Sequence, residues 1–281
     1  MVPAMQLRRL TPDDVLPAAR LTSVAFGGGP RESRIRRYLT LEPEGWFTVD
    51  EAGVLLAVGG VVRFGPLAWL GLMAVEPDRQ REGLGRTIAE AAIGWARSQG
   101  CTTILLIATS AGIPLYRRLG FVDDGESSEL AGVPEISRPP AGPCIVRPWR
   151  VEDTEDVASF DAPAFGADRG RLLAAYAREF EGSAWIARDV RGAMRGFLVV
   201  QGETLGPWSA TDETVAGQLL DTGLGGVHRP LRIGIADALG ERLLEARGLK
   251  RTRNLPRMRL GPAPSRGSSP RLLAHASYAV G

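Results

Sequence analysis

The sequence predicts an α/β protein whose mixed sheets belong to two tandem domains. Its 281 residues are close to twice the length of a typical domain, roughly 150 residues. In each half, short β-rich apolar runs alternate with segments of helical periodicity. A proline- and glycine-rich segment, residues 133–143, suits neither a helix nor a central strand. We therefore expect domains over 1–132 and 144–281, joined by a linker over 133–143.

In the first half, a predicted hairpin is followed by alternating strands and helices. Asp13 and Asp14 suit the cap of the first helix, and a turn at Gly53 joins two apolar strands. A loop is expected over 27–37. The predicted elements are a helix Val15–Phe26, strands Trp46–Val49, Val54–Val62 and Leu67–Val75, a helix from Leu84 to its cap at Gly100, a strand Thr103–Ile107, a helix from Pro114 to Gly120, and a strand from Phe121.

The second half has a comparable order and begins as the first does. Residues 6–14 and 145–153 each contain a short apolar run with arginine, then a polar turn with acids suited to a helix cap. This similarity fits two domains of related fold. The predicted elements are helices Arg171–Phe180, Thr214–Leu220 and Ala238–Arg247 and strands Ala184–Ala187, Gly196–Val200, Leu231–Ile235 and Leu272–Val280.

The composition is that of an ordinary globular protein, with 44% hydrophobic and 23% charged residues and a formal charge of +2. No apolar run approaches the roughly 18 residues of a membrane-spanning helix. The first residues lack the pattern of a signal peptide, so we expect a cytoplasmic protein with no membrane partner. Lys250 is the only lysine, so nearly all basic residues are arginines. These arginines are interleaved with acidic residues and form no basic cluster, so no nucleic-acid partner is expected.

Cysteine and histidine are too scarce for a disulfide framework or a zinc site. Cys101 and Cys144 form no CxxC pair, and we expect Cys101 to be a small buried side chain, not a nucleophile. His228 suits a loop, and His275 lies in the tail. No metal is therefore expected.

Residues 75–86 carry the strongest chemical signal, a glycine loop between an apolar strand and an amphipathic helix. Gly83 and Gly85 would let an anion approach backbone N–H groups at a helix N-terminus, and Arg81 and Arg86 could add charge. The segment lacks the GK[ST] of a Walker loop and the third glycine of a dinucleotide fingerprint. On the fragment alone, a pyrophosphate site and a purely structural turn both remain open.

Two motifs together resemble a known superfamily. The pattern Gln80-x-x-Gly83-x-Gly85 after a strand resembles the acetyl-CoA motif of the GNAT N-acetyltransferases, and residues 114–121, PLYRRLGF, resemble their second signature. In the second half, residues 164–169, Gly206-Pro207-Trp208 and Arg257-Met258 resemble the C-terminal domain of a bacterial tandem-GNAT family. The resemblance implies two domains, each a mostly antiparallel sheet flanked by helices and splayed at the strand that binds the cofactor.

The resemblance also implies the site residues and acetyl-CoA as co-substrate. Tyr116 would be the catalytic residue, with its phenol near the thioester sulfur. The strand segment Met73, Ala74 and Val75 would hold the pantetheine arm through its backbone. The pyrophosphate would be held by a run of loop residues, namely Gln80, Arg81, Glu82, Gly83, Leu84, Gly85 and Arg86. Ser110 stands where many members carry an asparagine that contacts the cofactor arm.

The sequence departs from the superfamily at the expected general base. Some members carry a carboxylate within the strand before the loop, but residues 68–72 read AWLGL, and Glu76 follows beyond the expected position. Ordered water and acids of the 27–37 loop such as Glu32 remain alternatives. An ammonium acceptor must lose a proton before it attacks.

The second half has no matching glycine loop; residues 206–212, GPWSATD, stand where that loop should follow its strand. We therefore expect one cofactor site per chain, and Trp208 and Trp185 as core residues rather than pocket walls. The leading hypothesis is acetyl transfer to a primary amine by direct attack. The alternatives are a non-catalytic CoA-binding, sensing or scaffolding protein and an enzyme for longer acyl groups. We expect a small-molecule amine as acceptor, and a homodimer is possible.

Overall fold

The computed structural model describes residues 5–28, 31–136 and 142–281, which form two compact units. Unit 1 contains the described residues up to Asp123 together with Met258–Ala263 and Val280; unit 2 contains Asp124–Arg257, Pro264–Ala279 and Gly281. The predicted linker falls partly on 137–141, outside the described residues, and the predicted domain boundaries stay a prediction.

Unit 1 is built from five strands and four helices that precede residue 120, and from the end of a later strand. The elements are β1 (Gln6–Arg9), α1 (Val15–Phe26), α2 (Glu32–Leu41), β2 (Trp46–Glu51), β3 (Val54–Phe64), β4 (Leu67–Val75), α3 (Leu84–Ser98), β5 (Thr103–Ile107) and α4 (Ile113–Arg118). Its sheet has the order β1-β2-β3-β4-β5, and only the β4–β5 pair is parallel.

Local sequence explains how unit 1 starts its sheet. Ala52 and Gly53 both have positive φ, +51° and +81°. Two such residues give the tight turn whose twist matches an antiparallel hairpin, here β2–β3. In α3 the apolar residues Leu84, Ile88 and Ala92 are buried at intervals of four and pack on the sheet. The local sequence pattern therefore accounts for the hairpin of the sheet that precedes the glycine loop and for the helix that follows it.

Unit 2 repeats this arrangement with its own strands and helices. The elements are β6 (Val122–Gly132), β7 (Ile145–Pro148), α5 (Thr154–Phe165), α6 (Gly170–Glu179), β8 (Ala184–Arg188), β9 (Met194–Gln201), β10 (Thr204–Ala210), α7 (Glu213–Leu224), β11 (Leu231–Ile235), α8 (Ala238–Glu245), β12 (Lys250–Leu260) and β13 (Arg271–Ala274). Its strands follow the order β12-β6-β11-β13-β10-β9-β8-β7. The last three residues of β12 belong to unit 1, where Met258 lies in the core. The predicted fold class, a mixed sheet flanked by helices, is confirmed.

The similarity between residues 6–14 and 145–153 is a structural repeat. In unit 1 the guanidinium of Arg8 donates to both carboxylate oxygens of Asp14, at 2.7 and 2.8 Å. In unit 2 Arg147 donates to Asp153 in the same way, at 2.7 and 2.6 Å. The arginine fork holds the pKa of each carboxyl at about 2. Each fork ties a strand, β1 or β7, to the turn that opens the next helix.

Two predicted elements are wrong. The 27–37 loop is wrong because Glu32–Leu41 forms α2, in which Ile35, Tyr38 and Leu39 are buried at helical spacing. The preceding glycines and the abundant arginines hid this period. The strand Leu272–Val280 is wrong beyond Ala274 because the chain turns there, with the Gly281 N–H donating to the Ser277 carbonyl. Its apolar residues reflect burial rather than strand pairing.

Candidate active site

The cofactor edge of unit 1 is opened by a divergence of β4 from β5. Their parallel pairing covers Leu67, Ala68 and Trp69 of β4 and ends there, although β4 continues to Val75. In this register Leu70 and Gly71 would pair with Leu106 and Ile107 in an unbroken ladder, whereas the residues from Met73 to Val75 extend beyond the end of β5. The pairing of β4 with β5 thus ends before either strand does, and the β4 edge at Met73, Ala74 and Val75 has no partner in β5.

A bulge in β4 lies within the splayed segment. Leu72 adopts φ +53°, and the register against β3 shifts between the pairs Gly60–Gly71 and Val58–Ala74. Gly59 faces the bulge, and a Cβ there would collide with the sulfur of Met73. The bulge thus needs glycine at 59, which the adjacent Gly59-Gly60 pair in a strand could have suggested.

The peptide direction at the end of β4 follows from one hydrogen bond. The Glu76 N–H donates to the Leu56 carbonyl at 2.8 Å, so this pair faces β3. Hydrogen-bonding direction alternates along an antiparallel strand, so Val75 turns its N–H and carbonyl toward the opposite edge. That edge is the splayed one. A backbone donor and an acceptor are therefore available to an extended amide-bearing chain.

The glycine loop presents backbone N–H groups in the way the sequence predicts. After a 3₁₀ turn at Pro77–Arg79, Arg81 and Gly83 adopt φ +70° and +89°. Gly83 caps α3 with no side-chain hydrogen bond. The N–H groups at the start of a helix have no partner within the helix. Together with the positive end of the helix dipole, they form a site suited to an anion.

Two loop residues predicted to hold the pyrophosphate already form ion pairs through their side chains within the protein. Arg86 forms an ion pair with Glu90 at 2.7 Å, and Glu82 accepts from Arg79 at 2.9 Å. Arg79 also pairs with Glu51 at 3.0 Å, which fastens the loop to the end of β2. Among the described residues no ion pair is recorded for Arg81. The geometry therefore favours Arg81 as the side chain that adds charge to this site.

The three parts of the site meet around Gly85. A Cβ on Gly85 would lie 3.6 Å from both Val75 Cγ2 and Leu115 Cδ2. The first turn of α3, the open end of β4 and α4 are thus in van der Waals reach of one another. Gln80 ends the 3₁₀ turn, and Ser110 is exposed in the turn before α4. Sequence reasoning missed Leu115, whose only signal is its place beside Tyr116.

Tyr116 lies on α4 and faces the unit 1 core. Its ring is 6% exposed and packs edge-on against Phe121, with 5.7 Å between centroids. Burial raises the pKa of the Tyr116 phenol. The phenol therefore stays protonated at neutral pH and acts as a donor rather than a base.

No general base is evident near the predicted position. The β4 residues 68–72 carry no carboxylate, as the sequence shows, and Glu76 follows the strand end. Glu32, half-buried at the first position of α2, lines a groove of about 310 Å³. The other groove residues, all on or near α1, are Leu16, Ala19, Arg20, Ser23 and Gly28. Glu32 therefore lies in a groove formed by α1 and the start of α2.

In unit 2 the counterparts of the open β4 edge and of the α3 N-terminus are occupied by other residues of the same chain. Residues 206–210 belong to β10, so most of the segment that stands in place of the glycine loop is a strand. β13 lies between β10 and β11, pairing with Trp208 and Ala210. The Asp212 carboxylate caps α7 by accepting from the Val215 N–H at 3.0 Å. Burial opposes its ionisation, yet this N–H, Thr211 and Arg195 hold the pKa of Asp212 below its usual value.

The remaining residues singled out from the sequence belong to cores or loops. Cys101 is buried, as expected, and burial raises the pKa of its thiol. Trp208 is fully buried in the unit 2 core, and Trp185 packs against that core. His228 is exposed in a loop, whereas His275 is buried and bonds Ser127 through Nε2 at 2.8 Å.

The described residues contain neither a metal-binding cluster nor a membrane-spanning helix. Within them, no three His, Cys, Asp or Glu side chains are grouped so that they could bind a metal. None of the helices described in the structure has the length and apolar character needed to cross a membrane.

Comparison with known proteins gives the same family for both halves. The Acetyltransferase (GNAT) family matches residues 18–121, and the Acetyltransferase (GNAT) domain matches residues 157–272. An uncharacterized N-acetyltransferase, YitH of Bacillus subtilis, is 31% identical over 188 residues, 66% of each chain. Mycothiol acetyltransferase of Saccharopolyspora erythraea is 33% identical over 93 residues, 28% of this chain and 30% of its own. The chain thus spans slightly less than two thirds of YitH and about a third of the second relative.

Solved structures extend the likeness to the whole chain. A candidate acetyltransferase from Pyrococcus horikoshii has a TM-score of 0.86 at 26% identity, covering 99% of this chain and 96% of its own. A GCN5-related N-acetyltransferase from Sphaerobacter thermophilus shares the fold, with a TM-score of 0.66 at 17% identity over 95% of this chain and 100% of its own. The chain is a member of the GNAT acetyltransferase superfamily that carries two GNAT domains in tandem.

Proposed function

We propose that this protein is an N-acetyltransferase that uses acetyl-CoA and a primary amine in a ternary complex. The observation that carries the proposal is the combination of a splayed β4 edge with an uncapped helix N-terminus directly after it. The edge offers the backbone N–H and carbonyl of Val75 to the amides of a pantetheine arm. The start of α3 offers unpaired N–H groups and a positive dipole end to a pyrophosphate. The polar groups of this site therefore match the pantetheine amides and the pyrophosphate of acetyl-CoA.

The chain's own residues would divide the work as follows. Met73, Ala74 and Val75 would orient the arm, and the backbone from Arg81 to Arg86 would hold the phosphates, since the Gln80 N–H already donates to the Pro77 carbonyl. A β4 backbone N–H would face the oxyanion that develops when the amine attacks the thioester carbonyl. Ser110, exposed before α4, would lie beside the arm without supplying the amide found in many relatives.

Tyr116 would stabilise the departing sulfur. An ordinary phenol, with a pKa near 10, is already a weaker acid than an alkyl thiol near 8.5. Burial widens this gap because it raises the pKa of Tyr116 further. Hydrogen-bond donation to the sulfur is therefore favoured over complete proton transfer. The proton lost by the amine needs an acceptor other than Tyr116, either ordered water or an acid such as Glu32.

Unit 2 would carry no second cofactor site. Its strand edge is covered by β13, and its helix N-terminus already holds the Asp212 carboxylate. We propose one acetyl-CoA per chain, in unit 1. A small amine is the proposed acceptor class. The name of the mycothiol acetyltransferase relative adds mycothiol-related compounds to the panel worth testing.

The test is release of free CoA from acetyl-CoA by the purified protein against a panel of amines. The panel contains amino sugars, polyamines, amino acids, peptide N-termini and mycothiol-related compounds. Amine-dependent release that disappears in a Gly83→Asp variant supports the proposal. The absence of a carboxylate on β4 favours, as the second candidate, a protein that binds CoA without turnover. Tight CoA binding with no release for any amine would support that alternative.

A further inference from the structure

Gly112 precedes α4, and its backbone conformation does not explain why this residue is a glycine. Its φ and ψ are −83° and −27°, in the right-handed helical region open to every residue. Glycine is therefore not needed there for a turn or a positive φ. The reason must lie in what a side chain at 112 would contact.

A Cβ at position 112 would meet the ring of Tyr116. It would lie 2.8 Å from Cε2 and 3.5 Å from Cδ2, and the Thr109 carbonyl oxygen, also at 3.5 Å, is the third of its nearest neighbours. Real Cβ atoms essentially never approach a carbon this closely, so the ring would have to move. The ring is buried and packs against Phe121, and protein cores are close-packed. A methyl group at 112 would therefore push the ring and its hydroxyl out of position.

We propose that Gly112 is a positioning residue for Tyr116, a role that rests on the proposed function of this site. The empty volume at 112 lets the ring lie where its Oη meets the sulfur of the bound thioester. Gly112 itself touches no reacting atom. Because hydrogen-bond strength falls with distance and misalignment, a displaced ring would donate poorly to the sulfur. Substrate binding at β4 and α3 would be preserved.

The test uses the four tyrosines of the chain, labelled with ¹³C at Cζ. The Tyr116 resonance is assigned by its loss in a Tyr116→Phe variant. The protein is titrated with CoA and with desulfo-CoA, and the difference between the two Tyr116 shifts reports contact with sulfur. We expect a clear difference in the unchanged chain and loss of that difference in Gly112→Ala, which still binds both ligands.

Gly94→Ala is the matched control, because Gly94 lies within α3 and a Cβ there meets nothing within 4 Å. It should keep the sulfur-dependent shift. A full shift retained in Gly112→Ala would overturn the inference, and so would a Tyr116 signal that ignores sulfur in the unchanged chain. Failure of CoA itself to bind would instead overturn the proposed function and this inference with it.

A stability measurement tests the steric step without any ligand. Urea unfolding is compared for Gly112→Ala in the unchanged chain and in a Tyr116→Ala background. If the methyl meets the ring, the substitution lowers the midpoint only while the ring is present. An equal loss in both backgrounds would show that the ring is not what the methyl meets and would overturn the inference.

Discussion

The two units have related folds, but they differ at one strand edge and at the N-terminus of the helix that follows that strand. In unit 1 the edge of β4 is open beyond Trp69, and α3 begins at Gly83 without a side-chain cap. In unit 2 β13 pairs along β10, and Asp212 caps α7. A strand and a carboxylate of the chain itself thus stand where unit 1 would receive an amide-bearing arm and a phosphate. The difference shows that the fold alone does not make the site.

The paired arginine–aspartate forks show what the two units keep in common. The Arg8–Asp14 and Arg147–Asp153 forks have nearly the same hydrogen-bond distances. The forks stabilise the fold and have no role in the proposed chemistry. Structural features have therefore been retained in both units, while the proposed binding features are found in one.

The largest expected effect comes from placing a carboxylate at the start of α3, as unit 2 does at α7. Gly83→Asp puts a negative charge where the pyrophosphate would bind, and its side chain tolerates the left-handed backbone better than most. We expect acetyl-CoA affinity to fall about 100-fold, or roughly 3 kcal/mol, by calorimetric titration.

The matched control is Gly83→Asn, which has the same shape without the charge. It should lose much less affinity than Gly83→Asp, because only the repulsion between carboxylate and phosphate differs. Equal losses in the two variants would show that shape, not charge, excludes the ligand.

Removing the Tyr116 hydroxyl should reduce turnover and leave binding nearly unchanged. Tyr116→Phe keeps the ring and its contact with Phe121, so the fold is preserved. General-acid or hydrogen-bond assistance contributes about 10²-fold or more, so kcat should fall by that order while the Kd for acetyl-CoA stays constant. The measurement is initial-rate release of free CoA with the best amine of the panel. A variant with full kcat would remove Tyr116 from the chemistry.

Buried His275 should make the stability of unit 2 sensitive to pH. Burial lowers the pKa of His275 to about 3, whereas an unfolded histidine titrates near 6.5. Between these values the unfolded chain binds a proton that the folded chain does not, so stability falls as pH decreases from about 6.5. The loss from this group between pH 7 and pH 5 is on the order of 2 kcal/mol.

Urea unfolding at a series of pH values measures this loss. His275→Gln, which can keep a hydrogen bond to Ser127, should flatten the pH dependence. His228→Gln should leave it unchanged, since His228 is the other histidine and lies exposed in a loop. If both variants keep the slope of the unchanged chain, another group is responsible.

The smallest effect concerns the cap in unit 2. Asp212→Ala removes the acceptor for the Val215 N–H and should cost about 1 kcal/mol of stability. It should create no second acetyl-CoA site, because β13 still covers the strand edge. Thermal unfolding and titration with acetyl-CoA measure the two outcomes. A second binding event in this variant would show that the cap alone closes unit 2.

The sequence was sufficient for the parts of the site encoded by local chemistry. The strand Leu67–Val75, the loop with Gly83 and Gly85 and the helix bearing Tyr116 follow from hydrophobic period, glycine placement and motif order. These elements lie within about 50 residues of one another, so their neighbourhood in the fold needs few long-range contacts.

The parts that could not be predicted depend on pairing between distant residues. That β13 would enter between β10 and β11 is set by its pairing with residues about 60 positions away, not by its own apolar pattern. The role of Gly112 is equally invisible, because a glycine before a short helix has no spacing signal. α2 was missed for a different reason, since its arginines obscure a buried period.

Calorimetric titration of the purified chain with acetyl-CoA, with NAD and ATP in parallel, tests the central claim most directly. The open edge and uncapped helix of unit 1, set against the filled positions of unit 2, predict one acetyl-CoA per chain. NAD and ATP carry phosphates but no pantetheine arm for the β4 edge, so both should bind much more weakly, and Gly83→Asp should lose acetyl-CoA binding. No binding, two sites per chain, or full affinity in Gly83→Asp would contradict it.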